Sequence, residues 1–312
     1  MNHSQIDVGD VELHVVQLGQ GKPVVFCHGF PDVWIGWRKQ MEAVAAAGYR
    51  AIAIDMRGYG RSSGPEDPGA YTPFHTVADM IGLLDALALP TATIVGHDFG
   101  AATAWYSAMM RPGRFTAMFG ISVRYLPLGG PSLFAAMEAA GKADSFYMFK
   151  QREPEADARW ANARTTYPGL LYWSSAAPSP KDRWDPFDTT REMYRPAPVG
   201  VPPWADPADF EYAVKEFERT GFHRPLNYYR SLQSFYDLGK AYKGVTIRQP
   251  SFFLTGDADG VNKIRPVDEA EMRNMAPGLR GIRVLSNVGH WAHGEAPDET
   301  KALLLDFLRD LD

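Results

Sequence analysis

Short, continuously apolar runs alternate with helix-forming stretches through the first part of this 312-residue chain, and the same alternation returns near its end. PVVFCH, from Pro23, is apolar almost throughout, as expected of a strand covered on both faces. WRKQMEAVAAAGYR follows with strong helix formers and stops at Gly48, a residue suited to the left-handed turn that ends a helix. RAIAID, from Arg50, predicts the next strand. Thr72 and Pro73 offer the cap and first residue of a helix in which Val77, Met80, Ile81, Leu84 and Leu87 recur on one face. TATIVG, TAMFGIS and SFFLTG predict further buried strands, GIRVLS a last one, and APDETKALLLDFLRDL a terminal helix opened by Pro297. Strand and helix in alternation imply an α/β protein with a mostly parallel central sheet and crossover helices on both faces.

Between Arg124 and Ala241 the alternation stops. PGLLYWSSAAPSPKDRWDPFD and YRPAPVGVPPWADPADF are rich in tryptophan, tyrosine and proline, with helical patterns on either side. The change predicts a mainly helical domain at 125–241 inserted into a core of 1–124 and 242–312. An insertion between two strands sits over the strands' C-terminal ends, where open α/β sheets bind ligands. Trp160, Trp173 and Trp184 make this insert an apolar lid, built mostly of its own core aromatics.

Composition narrows the partners. The chain is 45% hydrophobic and 22% charged, with a formal charge of -5 and no run of like charges, so neither nucleic acid nor a charged membrane surface is implied. A lone cysteine, Cys27, excludes an internal disulfide. The start, MNHSQIDVGD, lacks the basic and apolar regions of a secretion signal, and MEAVAAAGYRAIAI is broken as a membrane span by Glu42, Gly48 and Arg50. A cytoplasmic protein acting on small molecules is the expectation; monomer and homodimer fit equally.

The candidate chemistry lies in four turns at predicted strand ends. IVGHDFGA puts Asp98 between Gly96 and Gly100, in the strand–turn–helix setting of a nucleophile elbow, where an aspartate otherwise serves as an ordinary helix cap. FCHGFPD places the amide of Phe30 near that of Phe99, and two such amides make an oxyanion hole, although a Gly-Pro turn is common on its own. SFFLTGDADG carries Asp257 and Asp259, and LSNVGHWAHGE carries His290 and His293. Nucleophile, acid, histidine is the chain order of an α/β-hydrolase triad, and the joint alignment is far less expected by accident than any one turn.

HGFPD, DMRGYGRSS, GHDFGA, LTGDADG and GHWAHGEAP together resemble the soluble epoxide hydrolase branch of the α/β-hydrolase family over nearly the whole chain. The resemblance implies the α/β-hydrolase fold with a helical cap, no cofactor and no metal. It assigns Asp98 as nucleophile, Asp259 as acid with Asp257 the runner-up, and His290 as base with His293 a neighbour. It also implies two cap tyrosines that hold the epoxide oxygen: YMFKQREP identifies Tyr147, and PLNYYRS identifies Tyr229, with Tyr228 where the family often has tryptophan. Trp34 and Phe99 are expected to touch the substrate, a small apolar or aromatic epoxide that reacts with water.

Rival readings turn on single residues. Haloalkane and haloacid dehalogenases share the aspartate but grip halide through an indole or amide N–H, often from a tryptophan directly after the nucleophile. Phe99 stands there and Phe30 holds the other donor slot, leaving Trp34 and Trp37 as indoles that could donate to a halide. No arginine follows Asp98 to bind a haloacid carboxylate. A ligand-binding pseudoenzyme on the same scaffold would be expected to lack part of the set Asp98, Asp259, His290, Tyr147 and Tyr229. One further departure is Arg124, where the family's S-V-P-Y commonly has proline.

Overall fold

The computed structural model describes residues 1–311. One eight-stranded sheet runs in the order β1-β2-β4-β3-β5-β6-β7-β8, from β1 (Asn2–Asp7), β2 (Glu12–Leu18), β3 (Pro23–Cys27), β4 (Arg50–Ile54), β5 (Ala92–His97), β6 (Phe115–Ile121), β7 (Ser251–Gly256) and β8 (Leu279–Leu285). β2 is antiparallel to both neighbours, and the pairs from β4 to β8 are parallel. The α/β-hydrolase architecture read from the sequence is therefore the one adopted.

Successive strand residues point to opposite faces, and the apolar runs fill both. Val25, Cys27, Ile52, Ile54 and Ile94 enter one core, under α2 (Pro73–Ala86) and α3 (Phe99–Met110). Val24, Phe26, Ala51, Ala53 and Val95 enter the other, under α1 (Arg38–Ala46) and the terminal helix Pro297–Arg309. Each fully buried large aliphatic or aromatic side chain contributes about 1.5–3 kcal/mol, so a strand apolar at every position is stable only between two helical layers. Gly48 ends the α1 segment at φ +90°, and Pro73 is the first residue of α2, as expected.

The N-terminal pair β1–β2 went unread in the sequence. β1 is an edge strand whose residues are exposed or half-buried, so it presents no apolar run. β8 is the opposite edge, with Val284 exposed.

Between β6 and β7 every regular element is helical: α4 (Leu133–Ala139), α5 (Tyr147–Arg152), α6 (Ala156–Trp160), α7 (Ala163–Trp173), α8 (Pro207–Thr220) and α9 (His223–Leu238). Trp160 and Trp184 are buried here, and the Arg195 guanidinium lies 3.8 Å from the Trp173 ring centre. After β7 come α10 (Glu269–Met275), α11 (Ala292–Glu295) and α12, the terminal helix above. Among the described residues, no helix is long and apolar enough to cross a membrane.

Candidate active site

The turn from β5 into α3 holds Asp98 at φ 53°, ψ −119°, a conformation that non-glycine residues seldom adopt. Glycine permits the turn by close approach. A Cβ on Gly96 would lie 2.0 Å from the Gly100 carbonyl oxygen, and one on Gly100 would lie 2.0 Å from that of Cys27. Gly29 is equally constrained, because its Cβ would fall 2.4 Å from Asp98 Cβ. The Phe30 amide donates to Asp98 Oδ1 at 2.9 Å, and the Phe99 amide supports the same carboxylate. Asp98 makes none of the side-chain bonds by which an aspartate caps a helix. Its second oxygen, Oδ2, lies 3.9 Å from His290 Nε2.

His290 forms a buried polar group of three residues with Asp259 and Ser122. His290 Nδ1 is 3.3 Å from Asp259 Oδ1 and 3.4 Å from Oδ2. Ser122, just after β6, bridges them more tightly: its hydroxyl donates to Asp259 Oδ2 at 2.6 Å and lies 2.8 Å from His290 Nδ1. Ser122 sits at φ 70°, and its amide donates to the Leu254 carbonyl at 2.8 Å, so backbone geometry commits its side chain to this point. Asp259 Oδ1 also accepts from the Val261 amide at 2.9 Å. Asp257, the runner-up acid, is exposed, and its Oδ1 accepts from the Asn287 amide at 2.7 Å.

The His290 loop is pinned from the helical insert and from within. Its amide donates to the Ser174 carbonyl at 3.0 Å, Trp291 Nε1 donates to Ser174 Oγ at 2.7 Å, and His97 Nε2 bonds the His290 carbonyl at 2.9 Å. Glu295 accepts from the amides of Ala176, Gly289 and Trp291. His293 points elsewhere: it stacks on Trp37 at 4.6 Å and lies 3.8 Å from Asp32 Oδ2.

The insert delivers the tyrosines. Tyr147 opens α5, its amide donating to the Pro186 carbonyl at 2.9 Å, and Tyr229 lies on α9. Their rings meet edge to face at 6.1 Å. Tyr229 also packs on Phe99 at 4.9 Å and Phe30 at 5.1 Å. Trp184 is wedged between Tyr147, 4.9 Å away, and Gly260, whose Cβ would come within 2.8 Å of the indole. Tyr228 is occupied, donating to the Arg57 carbonyl at 3.1 Å.

Two cavities meet at Asp98. A narrow one of about 80 Å³ is apolar, lined by Phe99, Tyr106, Tyr228 and Phe235 among others. A larger one of about 360 Å³ takes in Tyr147, Ser122, Arg124, Asn262 and Arg265. Tyr147 thus lines the larger cavity, whereas Tyr229 is 3% exposed and lines neither.

Burial raises the Asp98 pKa above its ordinary value, opposed by His290 and by the Phe30 and Phe99 amides. Burial pulls His290 down, but the charges of Asp259 and Asp98 outweigh it and leave its pKa raised. Tyr147 and Tyr229 are pushed well above the usual phenol range, by burial first and then, among other groups, by the Asp98 charge. Both are therefore held as hydrogen-bond donors.

Trp34 corrects an expectation. Its indole N–H donates to the Tyr212 hydroxyl at 3.0 Å, its ring packs against His3 and His14, and it lines neither cavity at Asp98. It is turned away because the single turn Trp34–Trp37 points this residue toward β1 and β2. Trp37 lies in the core on the opposite face of the sheet from α3. Phe99, by contrast, lines the apolar cavity. Ser122, Ser174 and Glu295 escaped sequence reasoning; the usable signal was a serine ending a buried strand, and an acid following G-H-W at helical spacing.

The chain is similar to known proteins over almost its whole length. A family model described as the alpha/beta hydrolase fold matches residues 22–297. An epoxide hydrolase of Caballeronia sordidicola is 50% identical over 98% of this chain and 93% of its own length. Epoxide hydrolase B of Mycobacterium tuberculosis is 35% identical over 94% and 92%. Among solved structures, a mutant epoxide hydrolase of Solanum tuberosum superposes with a TM-score of 0.89 at 30% identity, covering 99% of both chains. The chain belongs to the alpha/beta hydrolase fold family and, within it, to the epoxide hydrolases.

Proposed function

We propose that this protein converts an epoxide and water to a vicinal diol through a covalent ester on Asp98, the reacting groups coming from the core and from a cap domain at 125–241. The observation that carries the assignment of roles is the division of the Asp98 carboxylate. Oδ1 is held by the Phe30 amide, and Oδ2 is left facing His290. Oδ2 attacks a ring carbon; that carbon's bond to the epoxide oxygen breaks, and the oxygen takes a proton from the Tyr147–Tyr229 pair.

Esterification leaves Oδ1 as the carbonyl oxygen, already at the amide that must receive negative charge. His290 Nε2 removes a proton from water, and the water oxygen adds to the Asp98 carbonyl carbon. The Phe30 and Phe99 amides hold the resulting oxyanion, an interaction whose loss costs about 2.7–4 kcal/mol of barrier. Collapse releases the diol and restores the carboxylate, while the proton on His290 returns through solvent to the phenol. Asp259 acts on His290 directly and through Ser122. The Asp98 charge is among those that raise the His290 pKa, so forming the ester lowers it and frees the base when the base is needed.

A small apolar or aromatic epoxide fits the aromatic lining beside Asp98. The lone free thiol, Cys27, is buried and accords with a cytoplasmic setting. Dehalogenation finds little support, since Phe99 offers no indole N–H and that of Trp34 is engaged by Tyr212. The test is turnover of styrene oxide in heavy-oxygen water. Diol should form, with label entering the Asp98 carboxylate over repeated cycles; haloalkane turnover without epoxide turnover would overturn the reading.

A further inference from the structure

Resting on that reading, we propose that the larger cavity binds the carboxylate of an acidic epoxide, and that Arg124 is the residue that recognises it. Arg124 is only 5% exposed, yet just one of its guanidinium nitrogens is bonded: Nη2 donates to Glu271 Oε2 at 2.5 Å. Nε and Nη1 are buried and have no acceptor among the described residues. A buried guanidinium with unpaired N–H groups is costly, and it is tolerated where an anion completes it.

The surroundings leave positive charge over. Arg265 also lines the cavity and also bonds Glu271, so two guanidinium groups share one carboxylate. Asp268 attracts Arg124 only through space. The same cavity reaches Asp98, Ser122 and Tyr147, so an anion at Arg124 and an epoxide at Asp98 occupy one continuous space. The apolar cavity leaves Asp98 by a different route and offers no such charge, its lining carrying Asp98 itself as the ionisable acid and otherwise phenols, a threonine pair and apolar groups. The substrate class that satisfies both is an epoxide with a carboxylate on a short or medium alkyl arm. The positive cluster also offsets the repulsion between that carboxylate and the Asp98 anion.

The test compares terminal epoxides of hexanoate, octanoate and decanoate with their primary amides, which match them in shape without the charge. Wild-type protein should favour the acid in kcat/KM by roughly tenfold or more at one arm length, the scale of hydrogen bonds to a charged group. Arg124→Gln should bring that ratio to about one; Arg124→Lys, which can keep the Glu271 contact should the glutamine variant fail to fold, should lower it part of the way. A wild-type ratio near one at every length, or a ratio that Arg124→Gln leaves intact, overturns the proposal. Calorimetry with unreactive octanoate and octanamide separates this from the hydrolysis reading. Tighter binding of octanoate that Arg124→Gln abolishes, in protein that turns over no epoxide, would sustain the anion site and remove the activity. Equal binding of both would mean that the guanidinium holds water only, and the proposal falls.

Discussion

The sheet and the helical insert place their reacting groups in different ways. On the sheet side, backbone does the positioning: Gly29, Gly96 and Gly100 have no room for a Cβ, and Asp98 and Ser122 are held at positive φ. On the insert side, Tyr147 and Tyr229 are set by ring packing against Trp184, Phe99 and Phe30. Backbone placement tolerates little change, whereas aromatic packing can be altered by degrees. The division also follows the proposed chemistry: ring opening draws on groups from both sides, whereas the groups proposed for ester hydrolysis stand on the sheet side, with the insert holding the His290 loop through Ser174.

Removing the shared group has the largest expected effect. Asp98→Asn should lower turnover by about 10⁴-fold or more, measured by steady-state kinetics, with neither step surviving. His290→Gln separates the steps: turnover should fall roughly 10²–10⁴-fold while ring opening persists, seen by mass spectrometry as an adduct on the Asp98 peptide. If no adduct accumulates, the division of labour is wrong. Tyr147→Phe and Tyr229→Phe should each slow ring opening about 10–100-fold in pre-steady-state kinetics, with a much smaller change in ester hydrolysis. Equal slowing of both steps would erase the contrast.

The smallest effect tests Ser122. Ser122→Gly accepts the positive φ but removes the hydroxyl, and should slow ester hydrolysis about three- to tenfold and shift its pH midpoint; Ser122→Asn, which accepts φ and keeps hydrogen-bonding atoms, should recover part of the loss. The pH profiles have a fixed sign. Protonated Asp98 cannot attack, and burial raises its pKa, so the acid limb of kcat/KM should lie above the ordinary carboxylate value of 3.8. Protonated His290 cannot take a proton from water, so the adduct should accumulate as pH falls.

Much of this was legible in the chain because burial writes long apolar runs. β3, β4 and β5 feed two cores and read as strands at every residue. The antiparallel β1 was illegible for the converse reason, being a polar edge. The glycines around Asp98 carried a steric message that a single sequence can convey. Trp34 did not: its place after the H-G-x-P turn says nothing about which way the side chain leaves the helix, and Tyr212 claims it from far along the chain. Ser122 was invisible because its role depends on meeting Asp259 and His290, brought together only by β6 and β7 lying side by side.

Trp184 touches Tyr147, proposed to open the ring, and Gly260, next to Asp259, proposed to orient the base. One rigid indole therefore acts as a gauge block between the tools of two successive operations. Any drift of the lid that alters its clearance is passed to both at once, so the catalyst goes out of true as a unit and not one operation at a time.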